Sequence, residues 1–442
     1  MIQVNRIYLI FNRLVTKKFL VDTSVNILFL HIMNYIDLFA GAGGLSEGFT
    51  KAGFNPIAHV ESDKAACFTL MTRLAYYYLS SKNQLDIYNS YLKGEISRDY
   101  LYGLLPESIS KSVINKYISS DNNIDIFAQI DKLLGENEVD LIIGGPPCQA
   151  YSNIGRAALK HVTDDPRKKL YIGYGSFLSH YRPKLFVFEN VPGLKSSDEG
   201  IHYQNIKSYF KELGYVVDDK LLNSLDFGVI QNRKRLIIIG WREDINFNYP
   251  EFEIEENEYT SKDLFRDLPP LKPGEGSRWN EYTEPANLYL QTSGIRNQND
   301  ILTLHIARPH NEKDLNIYKL AISKYEEGVF LKNDLIPEQH RTQKNTKDFL
   351  DRFKVVGKIP HTLIAHIAKD GHHFIYNSLD QIRSISVREA ARIQSFPDNY
   401  YFEGEKEVGN RTSAFKQIGN AVPPLMAQKI ALKIRTLLND IP

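Results

Sequence analysis

Cys148 stands in the segment Gly144-Gly145-Pro146-Pro147-Cys148-Gln149. Two prolines stiffen a backbone and remove donors from it, so the thiol is presented on a rigid bend, which suits a soft nucleophile in covalent catalysis. The other cysteine, Cys67, lies in the apolar run Ala65-Ala66-Cys67-Phe68 and reads as a small buried hydrophobe. Glu189 and Asn190 follow Leu185-Phe186-Val187-Phe188. An acid there can face the same cleft as Cys148 and handle a proton, or it can simply cap a helix. In Gln231-Asn232-Arg233-Lys234-Arg235, alternate side chains share a face if the segment is extended, and two guanidinium forks on one face suit a phosphate or a base edge. A solvated charge run is the plain alternative. Gly41-Ala42-Gly43-Gly44-Leu45 allows a ligand close to backbone N–H groups at a helix start. Glu61 ends the next apolar run and could accept hydrogen bonds from ribose hydroxyls. The glycine spacing is not G-x-G-x-x-G, and a tight turn without a ligand explains it equally well.

These residues need a scaffold that brings loops together. Tyr35–Phe39 and Pro56–Val60 read as short buried strands flanking a helix that starts near Leu45, which is the opening of a nucleotide-binding βαβ unit. Strands are expected again at 139–143, 185–188 and 236–239, with a helix and hairpin over 203–226. Continuous apolar strands alternating with helices predict a doubly wound, mostly parallel α/β sheet, and such sheets hold their sites at the strands' carboxyl ends. Residues 64–123 are polar, Tyr-rich and without a clear strand, and read as a helical insertion. Residues 245–375 are acidic, aromatic and Pro-containing and read as a smaller irregular domain, after which helical patterns return at 387–394 and 425–438.

Composition narrows the class. Lys and Arg total 54 and Asp and Glu 53, a net charge of +1, which excludes a globally basic nucleic-acid binder but leaves room for a local basic cleft. Two cysteines exclude a disulfide framework and a thiolate-rich metal centre and suit a reducing compartment, so a cytoplasmic location is expected. The first 32 residues hold an apolar patch interrupted by charges with no small-residue cleavage site, so a signal peptide is not expected, and Met33 is an alternative start.

Taken in order, Asp37-Leu38-Phe39-Ala40-Gly41-Ala42-Gly43-Gly44, Pro146-Pro147-Cys148-Gln149, Glu189-Asn190-Val191, Gln231-x-Arg233-x-Arg235, Arg388-Glu389-Ala390-Ala391-Arg392-Ile393-Gln394-x-Phe396-Pro397 and Gly419-Asn420-Ala421-Val422 resemble the C5-cytosine DNA methyltransferase family, from Asn34 to the C-terminus. The resemblance implies a Rossmann-like class I methyltransferase fold with an N-terminal extension at 1–33, a catalytic, S-adenosylmethionine-binding domain at 34–245, a target-recognition domain at 246–378 and a segment at 379–442 that returns to the catalytic domain. It implies transfer of a methyl group from S-adenosylmethionine to C5 of a cytosine flipped out of duplex DNA. Cys148 would attack C6, Glu189 would protonate or hydrogen-bond N3, and Arg235 would contact O2 with Arg233 beside it. The backbone of Pro146 and Pro147 would meet the exocyclic amine, and Asn190 would complete the catalytic set.

For the cofactor, the resemblance assigns Phe39 to the adenine side, Gly41, Ala42, Gly43, Gly44 and Leu45 to the methionine moiety, and Glu61 to the ribose. Ser62 stands where the family often has an aromatic residue. Asp125, followed by Ile126, is matched to an acid on the third strand that reaches the adenine amine, and Asn420 and Ala421 would close the pocket. The stretch 150–169 becomes a lid over DNA, with Gln149, Ser152, Arg156, Arg167 and Gln231 as DNA contacts. Double-stranded DNA is the expected partner and a cognate restriction endonuclease the genetic one, for a monomeric enzyme. No metal is expected, and the helix near 386–396 is expected to brace the two domains. Competing readings are an oxidoreductase, which leaves Cys148 and the arginines without work, a tRNA-methylating member of the same family, and a silent DNA-binding relative.

Overall fold

A computed structural model describes residues 32–147, 170–256, 258–341 and 350–439. Its centre is a seven-stranded sheet in the order β3-β2-β1-β4-β5-β7-β6, formed by β1 (Asn34–Leu38), β2 (Asn55–Glu61), β3 (Val113–Asn115), β4 (Leu141–Gly144), β5 (Leu185–Asn190), β6 (Tyr215–Asn223) and β7 (Lys234–Arg242). Neighbours among β1–β5 run parallel, and β7 lies antiparallel between β5 and β6. The doubly wound α/β expectation therefore holds.

The apolar runs follow from burial on both faces, because successive strand residues point to opposite sides. Tyr35, Leu141, Ile143, Val187, Ile237 and Ile239 pack toward α1 (Gly44–Lys51) and the C-terminal helix. Ile36, Leu38, Ile142, Phe186, Phe188 and Ile238 pack the other way, toward α5 (Ser120–Leu134), α6 (Leu170–Tyr181) and α7 (Ile201–Glu212). The C-terminal helix, α11 (Pro424–Asn439), lies so close to α1 that a Cβ at Gly48 would stand 2.4 Å from the Ala427 Cβ.

The stretch after β2 is mainly helical, with α2 (Lys64–Ser81), α3 (Leu85–Lys93) and α4 (Arg98–Gly103). Contrary to expectation it also contains β3. Three residues are too few to show alternation, and an edge strand needs only one buried face. The insertion acts as a brace. Arg73 of α2 donates from Nε and Nη2 to the Glu47 carboxylate of α1 at 2.8 and 2.6 Å, and from Nη1 to Asn399 Oδ1. Thr72 and Tyr91 both donate to Glu403 Oε1.

Tyr88, Tyr91 and Leu101 of the insertion share one apolar core with Leu264, Leu290 and Leu302 and with Ile393, Phe396 and Ile418. A smaller core, including Ile317, Ile322, Phe353 and Ile375, packs around α8 (Glu312–Glu326). The larger core includes α9 (Val387–Ile393), whose residues are all buried. Its Arg392 donates to Asp267 Oδ1 at 2.5 Å and to Asp398 Oδ2 at 2.6 Å. Among the described residues no helix is long and apolar enough to cross a membrane.

Candidate active site

Glu189, next to last in β5, lies across from Ile237 of the antiparallel β7, so Arg235, two residues earlier, comes up beside it. The Arg235 Nε lies 2.7 Å from Glu189 Oε1. Both side chains are nearly buried. Burial pushes the Glu189 carboxyl above the ordinary range, against the pull of the Arg235 and Arg233 charges. The second oxygen, Oε2, lies over the β4 loop, where a Cβ at Gly145 would stand 2.6 Å from it. A side chain at Gly145 would displace the carboxylate from this place, and this is a site feature missed from sequence. Its signal was a glycine directly before two prolines. Asn190 is buried, holds its own loop by accepting from Val191 N, and approaches Pro146 O at 3.4 Å through Nδ2. Pro146 is buried and Pro147 exposed, so the chain leaves the sheet directly before Cys148. Cys148 itself lies outside the described residues, as do Gln149, Ser152, Arg156, Arg167 and the rest of 148–169.

A second cluster lies on the other side of β1. Phe39, Gly41 and Gly43 have φ of 55°, 55° and 75°, a left-handed path that swings the loop clear of the sheet. Gly44 sits so near the C-terminal segment that a Cβ there would stand 2.3 Å from Val422 O. At Gly41 the same test meets nothing within 4 Å, so the loop has open space on one side and packing on the other. Ala42 and Leu45 are buried, which leaves their backbone as the part able to face a ligand. Glu61, at the end of β2, accepts from Gly41 N through Oε2 at 2.8 Å and from Asp63 N through Oε1 at 2.7 Å. Burial raises its carboxyl while these N–H groups oppose the rise. Ser62 is exposed beside it. Asn420 is exposed at the end of α10 (Arg411–Asn420), and Ala421 packs toward Gly44.

The family model for C-5 cytosine-specific DNA methylase matches residues 33–106 and 107–436. The chain belongs to the C-5 cytosine-specific DNA methylases. It is 41% identical over 452 residues to the Type II methyltransferase M.Bpa9945I of Bacillus paralicheniformis, covering 92% of this chain and 99% of that one. It is 31% identical to the Type II methyltransferase M.DdeI of Desulfomicrobium norvegicum, covering 92% and 90%. Among solved structures, a putative DNA modification methyltransferase encoded within an E. coli prophage shares the fold, with a TM-score of 0.59 at 22% identity over 92% of this chain and 100% of that one.

In this methylase three residues do not sit where the sequence placed them. Gln231 is fully buried. Its Nε2 donates to Ile393 O and Gln394 Oε1, and its Oε1 accepts from Leu363 N. Both ends of its amide are committed to the protein, and neither faces the surface. The expectation assumed an extended segment from 231, but β7 starts at Lys234, and the preceding residues turn inward to meet the chain near His361. Asp125 is not on a strand. It lies exposed on α5, 2.6 Å from Lys116 Nζ. Ile126 is part of that helix's buried stripe with Ile130. The third strand ends instead at Asn115.

Arg233 also differs from the expected pair of outward guanidinium groups. It is buried and donates to the carbonyls of Leu363, Gly419 and Ala421 at 2.5, 3.1 and 2.8 Å. It therefore holds the 419–421 turn against the catalytic edge and does not present a fork to a ligand. Among the described residues no group of three His, Cys, Asp or Glu side chains could hold a metal ion. His361 stacks on Phe374 at 4.7 Å, and His372 Nδ1 bonds to Tyr318 at 2.9 Å.

The donor set fits an adenosyl cofactor. The left-handed glycine loop leaves open space at Gly41, and a carboxylate stands at the next strand end for a ribose diol, as such sheets commonly provide.

Proposed function

We propose that this methylase transfers a methyl group from S-adenosylmethionine to C5 of a cytosine flipped out of a specific duplex sequence, as the modification partner of a restriction endonuclease. The observation that carries the reading is the buried Glu189–Arg235 pair set against Gly145, directly before Pro146-Pro147-Cys148. The cofactor, when bound, supplies an electrophilic methyl group.

The protein's own residues must make C5 a nucleophile. The Cys148 thiolate forms a bond to C6, and the ring electrons move toward C5 while charge grows at N3 and O2. Arg235 occupies Glu189 Oε1, so a proton held by this raised carboxyl sits on Oε2, the oxygen over the Gly145 loop. That proton meets the charge at N3, and the Arg235 guanidinium the charge at O2. After methylation the C5 proton passes to water, its bonding pair forms C5=C6 as the C6–S bond breaks and Cys148 leaves as the thiolate, and the N3 proton returns to the Glu189 carboxylate. Arg233 takes part as a positioning residue.

The test is base-resolution mapping of 5-methylcytosine in DNA from a methylation-free host expressing the chain, with Cys148→Ala as control. Methylation confined to one short motif and absent with Cys148→Ala is the expected result. Methylated tRNA with unmethylated DNA, or turnover retained by Cys148→Ala, would overturn it. The resemblance of M.Bpa9945I and M.DdeI, both named Type II methyltransferases, supports the restriction–modification assignment.

A further inference from the structure

Gln231 and Gln394 are both fully buried, and their side-chain amides meet. Gln394 directly follows α9, and its Nε2 donates to Ile418 O at 2.6 Å and to Ala421 O at 3.1 Å. Carbonyls can only accept, so the NH2 group is fixed there and Oε1 is turned toward Gln231. Gln231 Nε2 donates to that oxygen at 2.7 Å, which leaves its own Oε1 to accept from Leu363 N at 2.9 Å. The two amides therefore have a single orientation, running from the carbonyls of 418 and 421 to the N–H of 363.

Arg233 closes the same circuit, donating to Leu363 O, Gly419 O and Ala421 O. Both backbone polar groups of Leu363 are thus held by the segment that leads into β7 and Arg235. Little slack remains, since a Cβ at Gly419 would stand 2.3 Å from Ala365 N. On its other side the turn rests on the glycine loop, where a Cβ at Gly44 would stand 3.1 Å from the Ala421 Cβ. Leu363 lies in the stretch that the family resemblance gives to target recognition, whereas Gly44 and Ala421 border the pocket read above as the cofactor's.

We propose that Gln231 and Gln394 are positioning residues that couple these two regions, so that a cofactor holding the 419–422 turn against the glycine loop also steadies residues 361–368. This rests on the cofactor reading above. Segments joined by buried hydrogen bonds open as one unit, and a ligand that closes one raises the cost of opening the other. By linkage, a duplex that steadies 361–368 favours the closed turn by the same factor.

The experiment is hydrogen–deuterium exchange, read by mass spectrometry, on the full chain with and without S-adenosylhomocysteine. It needs neither turnover nor the target sequence. In the unaltered chain the ligand should slow exchange at 41–45 and 418–422, and at 361–368 by about fivefold or more, the low end of coupling between sites. Gln394→Met fills a similar space without the amide. Each partner it releases keeps a bond: Ala421 O to Arg233, Ile418 O to Ala421 N, and Gln231 Nε2 to Ile393 O. Slowing at 41–45 should persist in this variant, while that at 361–368 shrinks to about twofold or less. Gln231→Met cuts the relay at its other end and should give the same loss, with no further loss in the double variant. Thermal melts matching the unaltered chain identify the folded variants, and either single variant suffices. Full slowing at 361–368 in a folded variant, or none there in the unaltered chain, would overturn the inference while leaving the cofactor reading intact. No slowing at 41–45 in the unaltered chain would overturn both.

Discussion

Glu189 sits between two opposed influences, burial that favours its neutral form and a guanidinium 2.7 Å away that favours the anion. In the proposed mechanism Glu189 acts in its protonated form, so the rate should fall as pH rises through this raised carboxyl. Replacing Arg235 by Gln removes the opposing charge, and the carboxyl rises further. The alkaline limb of the single-turnover rate should then move to higher pH, by about one unit for each 1.4 kcal/mol of interaction lost, even as the rate itself drops. A limb that moves down, or stays, contradicts the proton-donor role. Glu189→Gln keeps the shape but cannot hand over a proton, and should slow methylation by about 10²–10⁴-fold in a stopped-time assay. The placement of both residues was legible in the sequence because each flanks a continuous apolar strand, Glu189 near the carboxyl end of β5 and Arg235 near the amino end of β7. Gln231 and Asp125 were misread because period-two and strand-end arguments were applied to residues that lie outside strands, one in an inward-turning loop and one on a helix.

At the scale of elements, the long apolar strands β1, β2, β4, β5 and β7 could be read from sequence, because a doubly covered strand has no polar face to confuse the pattern. β3 could not, since its three residues pair by register with β2 and not by any pattern of their own. The tight seam between α1 and α11 was also invisible, because a glycine's lack of a Cβ matters only once its neighbour is known. Gly48→Leu should force the two helices apart and lower stability by about 1–3 kcal/mol, the usual cost of overpacking. Urea unfolding of the purified chain measures it, and a stability equal to that of the unaltered chain would mean that the seam is looser than the 2.4 Å approach implies.

Across the whole molecule, buried ions join regions that are far apart in sequence. Arg392 holds both Asp267 and Asp398, and Arg383 holds Glu389 at 2.7 Å. Removing the guanidinium in Arg392→Met leaves Asp267 to Arg296 alone and Asp398 to Arg388 and Tyr282, and should cost about 3–5 kcal/mol in urea unfolding at neutral pH. A loss below about 1 kcal/mol would place the pair in a wetter setting than the structure gives. Burial acts to raise Asp398, but Arg392 and Arg388 hold it below the ordinary carboxylate range. Its stabilising contribution is therefore present above its unfolded pKa of about 3.9 and is lost as pH falls through the lower folded value. The urea midpoint should drop steeply below about pH 4, and less steeply in Asp398→Asn. The closing of the glycine loop by the far end of the chain has a further consequence. Arg435 donates to Ala52 O across 383 residues, and Tyr400 reaches Ala42 O across 358. On the ribosome, at about 5–20 residues per second, the loop is made tens of seconds before its lid of packing, so a nascent chain carries an unfinished pocket until Tyr400 and Arg435 have been added.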